Sequence, residues 1–97
     1  IEVLDWVDLH SAAWLDLART CGGVVYPSCS EGGGGSVITC MHGGILPVVT
    51  NEASVDIEDF GVRIAGETVD DVIAAVRTVA AMAPEELERR TRAAWAF

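Results

Sequence analysis

The residues best suited to chemistry lie together in the run Tyr26-Pro27-Ser28-Cys29-Ser30-Glu31-Gly32-Gly33-Gly34-Gly35-Ser36-Val37. An apolar stretch ends at proline, a carboxylate follows, and four glycines lead into a second apolar segment. Glycines let a backbone approach a ligand closely, and the unpaired amides of a helix start favour a phosphate or pyrophosphate. A carboxylate beside such a cradle repels the phosphates, so Glu31 is better used to accept hydrogen bonds from a neutral polyhydroxyl group attached to them. A nucleotide sugar has that composition. Spacing alone leaves two other readings open, a flexible Gly/Ser linker and a tight strand-to-helix turn that binds nothing. The flanks argue against a linker, because apolar segments adjoin the run on both sides without polar padding.

The other reactive side chains are less organised. His10 and His42 have no cysteine or carboxylate at ligand spacing, so no metal site is expected. Ser28, Ser30 and Ser36 are not set in G-x-S-x-G, since Ile38 stands where that motif needs glycine. Asp56, Glu58 and Asp59 read as a solvated loop face rather than a cation site. Arg19, Arg63 and Arg77 read as solvated surface charges, and Trp6, Trp14 and Trp95 as core or interface anchors. Cys21, Cys29 and Cys40 lack C-x-x-C spacing, which suits reduced structural thiols and a cytoplasmic location.

Alternating strand and helix signals must position these groups. Ile1 to Val7 is rich in β-branched and aromatic residues and predicts a strand. Ser11 to Thr20 predicts a helix that packs Trp14 inward and stops at Gly22-Gly23. Val24-Val25-Tyr26 predicts a strand buried on both faces. Ser36 is expected to cap a short helix with Val37, Cys40 and Met41 inward, closed by Gly43-Gly44, before a buried strand over Ile45 to Thr50. Asn51 to Phe60 reads as polar and irregular, and Gly61 to Ile64 as a short edge strand. Thr68-Val69-Asp70-Asp71 has the form of a capping box and opens a helix with a stripe of Val69, Val72, Ile73, Val76, Val79 and Ala80. Pro84-Glu85-Glu86 opens a last helix with Leu87, Thr91, Ala94 and Trp95 on one face. Such crossovers imply right-handed β-α-β units and a parallel sheet, with ligands beyond the strands' carboxyl ends.

The chain has 97 residues, so it is expected to be a single domain or part of one, with an α/β core over about 1–82 and a C-terminal helix over about 84–97. Its start at Ile1 is read as a cut from something longer, which leaves targeting unjudged. The formal charge of −9 comes from 15 acidic and 6 basic residues, all six of them arginine, which argues against a nucleic-acid partner. Hydrophobic residues make up 51%, enough to expect apolar surface meant for another domain or a second copy. No run approaches the ~18 apolar residues of a membrane span.

Val24-Val25-Tyr26-Pro27-Ser28-x-x-Glu31-Gly32, the glycine loop, Met41-His42-Gly43-Gly44 and Leu46-Pro47-Val48-Val49-Thr50 together resemble the donor-site core of retaining GT-B glycosyltransferases of the group 1, family four type. Those enzymes read P-S-x-x-E-G, then E-A-M-A-x-G, then P-V-V, and the resemblance covers about Ile1 to Ala80. It implies an α/β, Rossmann-like three-layer parallel sheet, part of the C-terminal domain of such an enzyme. By that resemblance Glu31 contacts the donor sugar, and Gly32, Gly33, Gly34, Gly35, Ser36 and Val37 place amides near the donor phosphates. The family's second carboxylate, which holds the ribose, is replaced by Thr39, whose hydroxyl is a weaker partner. The arginine and lysine that relatives use on the pyrophosphate come from earlier in the domain and have no counterpart here. The implied substrate is a nucleotide-diphosphate sugar with no cofactor and no metal. Its hexose-type sugar would pass to an acceptor only with the missing N-terminal domain, so this piece alone is expected to be inactive. The alternative is a non-catalytic phosphate- or nucleotide-binding, or self-associating, α/β module.

Overall fold

The computed structural model describes residues 3–8, 10–28 and 35–97. These form four helices and a small parallel sheet of three strands. Helix α1 spans Ala12–Arg19, with the Ser11 hydroxyl accepting from the Trp14 amide at 3.2 Å as its N-cap. Strand β1 spans Gly23–Tyr26, helix α2 Gly35–His42 and strand β2 Leu46–Val49. A 3-10 turn over Asn51–Ala53 leads through a loop to strand β3, Val62–Arg63. Helices α3, Val69–Ala80, and α4, Pro84–Ala96, complete the fold.

The strand order is β1-β2-β3, with Tyr26 paired to Val49 and Val49 to Arg63. All four residues of β2 are buried because it is central, which is why Leu46 to Val49 reads as an unbroken apolar run. Side chains alternate across the sheet. Val49 packs with Val37 and Met41 of α2 and Ala94 of α4, whereas Val48 packs with Ile64 and Ala75 of α3. Helices therefore cover both faces in three layers.

The helix boundaries follow local chemistry. Thr68 and Asp71 form the expected capping box, and Pro84 stands in the first turn of α4 with Glu85 and Glu86. Gly44 has φ +79°, the left-handed conformation that ends α2 and turns the chain into β2.

Several expectations are corrected. Residues 3–7 of the expected first strand carry no strand. Val3 and Trp6 are 90% and 86% exposed, and β propensity without a ladder partner does not make a strand. Gly22-Gly23 is no left-handed stop, since Thr20 caps α1 in the right-handed region and Gly23 already belongs to β1. Strand β1 is an edge strand, so Val24 and Tyr26 are half-buried while Val25 is exposed. Ser36 lies inside α2 rather than at its cap. The α3 stripe is displaced. Ala75, Val72 and Val79 face the sheet, while Val69, Ile73 and Val76 are exposed. In the segment read as polar, Ala53, Val55, Ile57 and Phe60 are core residues, packed with Val37, Met41 and Ala94. Burying the Phe60 side chain alone is favourable by about 2–3 kcal/mol. Trp14 is half-buried, whereas Trp95 turns outward, and Cys21 is exposed with Cys40 half-buried.

Candidate functional site

In a parallel sheet the loops at the carboxyl ends of the strands gather into one rim. Here the rim is tied together by hydrogen bonds. Thr50, directly after β2, is buried to 3% exposure, and its hydroxyl donates to the carbonyl of Ser28, two residues past β1. Arg63, the last residue of β3, donates from Nη1 to the Thr50 carbonyl at 3.2 Å. One chain of contacts, Ser28 to Thr50 to Arg63, thus links the ends of all three strands.

Of the residues singled out in the sequence, Gly35, Ser36, Val37 and Thr39 lie in α2. Val37 is fully buried and, with Met41, seats the helix on the sheet, while Gly35 and Ser36 in its first turn are exposed. The Thr39 hydroxyl donates to the Gly35 carbonyl at 3.0 Å, a bond within the helix that leaves its lone pairs able to accept from a ligand. Glu31, Gly32, Gly33 and Gly34 lie outside the described residues, as do Cys29 and Ser30.

Arg63, read from sequence as a solvated surface charge, is exposed as expected, and its bond to the Thr50 carbonyl adds a place on the rim that the sequence reading did not give it. Residue alternation held the signal: Val62 faces α3, so its neighbour must face the α2 side, as does its register partner Val49. Arg19, Arg89, Arg90 and Arg92 pair with Asp16, Glu86, Glu86 and Glu88. Arg63 has no carboxylate at ion-pair distance among the described residues.

Apart from the rim, a concavity of about 320 Å³ lies between α2, the Ser54-Val55-Asp56 loop and Phe97, with His42, Ser54 and Asp56 beside the apolar Ile38, Met41, Val55 and Phe97. Among the described residues no three His, Cys, Asp or Glu side chains are grouped to hold a metal ion. Burial, reinforced by the neighbouring Cys21 thiolate, pushes the Cys40 thiol above its ordinary value, opposite to the shift that makes a cysteine nucleophilic. Asp56, Glu58 and Asp59 are solvent-exposed as expected, with an Asp56 oxygen accepting from the Glu58 amide at 3.0 Å. No helix among the described residues is long and apolar enough to cross a membrane.

Compared with protein-family models, with curated proteins and with solved structures, the chain matches none of them.

Proposed function

We propose that this chain is the nucleotide-sugar-binding part of a glycosyltransferase of the retaining GT-B kind, acting on a nucleotide-diphosphate donor. One observation carries the reading. The motif run leaves β1 at its carboxyl end and re-enters at the first turn of α2, inside a parallel β-α-β unit. That is where such a unit binds phosphorylated ligands. In this reading Glu31 orients the donor sugar, the amides from Gly32 to Val37 stabilise the departing diphosphate, and Thr39 meets the ribose. Transfer of the hexose-type sugar needs acceptor-side groups from a further domain, so the chain by itself binds the donor and does not turn it over. A nucleotide sugar in the cytoplasm is its substrate, with no cofactor.

The test is a titration with uridine and guanosine diphosphates and their sugar conjugates, following the amide resonances of Gly35 to Thr39. Saturable shifts at that turn are expected, with the advantage of the sugar conjugate lost in Glu31→Ala. Unmoved resonances at millimolar ligand would overturn the reading.

A second reading, a non-catalytic or self-associating module, is favoured by Thr39 in place of a carboxylate and by the apolar side chains of Val25, Ile73 and Val76 left at the surface. A sedimenting dimer that binds no nucleotide would select it.

A further inference from the structure

We infer that Arg63 is the cationic ligand for the diphosphate group at this rim, an assignment that rests on the donor-site reading and deepens it. Its register with Val49 and Tyr26 puts the side chain on the same side of the sheet as α2, at the last position of β3. The bond from Nη1 to the Thr50 carbonyl spends one donor and orients the guanidinium. Among the described residues the other N–H groups of the fork have no partner, which suits them to an anion. The chain holds 15 carboxylates against 6 arginines, yet among the described residues none of those carboxylates pairs with Arg63. Thr50 in turn fixes the Ser28 carbonyl, so the guanidinium is coupled to the segment that enters the glycine run. A planar fork held from behind by a carbonyl is well suited to two phosphate oxygens, and it offsets the repulsion that a net charge of −9 imposes on an anionic ligand.

The test compares the unaltered chain with Arg63→Gln, Arg63→Lys and, as control, Arg77→Gln, whose arginine also lacks an ion-pair partner among the described residues but sits on α3 across the sheet. Calorimetric titration with inorganic pyrophosphate and with uridine diphosphate supplies the affinities, and thermal midpoints check that each variant is folded. Arg63→Gln is expected to weaken both ligands about tenfold or more, with a shallower salt dependence. Arg63→Lys should recover part of the loss, and Arg77→Gln should leave binding unchanged. Equal affinity in folded Arg63→Gln and in the unaltered chain overturns the assignment while the donor reading stands. Arg63-dependent pyrophosphate binding with no preference for any nucleotide or its sugar conjugate supports the assignment and sinks the donor reading. Absence of pyrophosphate and diphosphate binding in the unaltered chain overturns both.

Discussion

The Arg90 guanidinium donates from Nη1 to the Phe60 carbonyl at 3.2 Å, while its Nε donates to Glu86 Oε1 at 2.7 Å. The same Nη1 also reaches the Gly61 carbonyl at 3.1 Å, so one side chain of α4 ties down the turn that leads into β3. The Arg90 side chain is 22% exposed, and removing it takes a charged donor from these part-buried carbonyl contacts. Arg90→Leu should therefore destabilise the fold by about 2 kcal/mol, read from urea unfolding. A loss under about 0.5 kcal/mol would show that the apolar side chains of the turn hold it unaided.

Glu86 receives Nε and Nη2 of Arg89 at 3.1 and 2.9 Å as well as Nε of Arg90. The hydrogen bonds from Arg89 and then Arg90 lower its carboxyl from 4.5 to about 2. A carboxylate whose folded value lies below its unfolded one stabilises above the unfolded value, and that contribution is lost as pH falls through the folded one. The thermal midpoint should thus decline between pH 4.5 and about 2. Glu86→Gln should flatten that part of the curve, and an unchanged curve in the variant would remove Glu86 from the explanation.

At the start of α3 the Thr68 hydroxyl accepts from the Asp71 amide at 3.1 Å and Asp71 Oδ2 accepts from the Thr68 amide at 3.1 Å. Gly66 leaves the room for this, since a Cβ there would collide with Asp71 Oδ2. Thr68→Ala should cost about 1 kcal/mol. Gly66→Ala should cost a similar amount by displacing the same carboxylate, and the double variant should lose less than the sum. Additive losses would mean that the two substitutions act on different contacts.

The sequence carried its clearest signals where local chemistry alone decides. The capping box at Thr68, the proline start at Pro84, the glycine turn after His42 and the unbroken apolar run of β2 are all present. It misled where burial depends on distant neighbours. Val69, Ile73 and Val76 keep helical spacing with Val72 and Val79, yet the three-stranded sheet is too narrow to cover them all. Val55, Ile57 and Phe60 were hidden among Asp56, Glu58 and Asp59, although the alternation in Val55-Asp56-Ile57-Glu58 was a period-two burial signal. The rim was legible in part. Glycines and a helix start pointed to α2, but the link from Ser28 through Thr50 to Arg63 joins residues far apart in sequence. Only the strand register brings them together.

That link supplies the last prediction. Thr50 is the buried polar residue of the described core, and its hydroxyl has a protein acceptor in the Ser28 carbonyl. Thr50→Val keeps the shape and removes the donor, leaving that carbonyl without it at a site that water reaches poorly. The fold should lose about 1 kcal/mol. Because the bond also fixes where the chain leaves β1 toward the glycine run, pyrophosphate affinity should fall severalfold more than stability alone explains, measured on protein that is fully folded at the assay temperature. Thr50→Ser, which retains the hydroxyl, should restore binding. If Thr50→Val binds as tightly as the unaltered chain while its thermal midpoint drops, the bond serves the sheet and has no part in positioning the ligand.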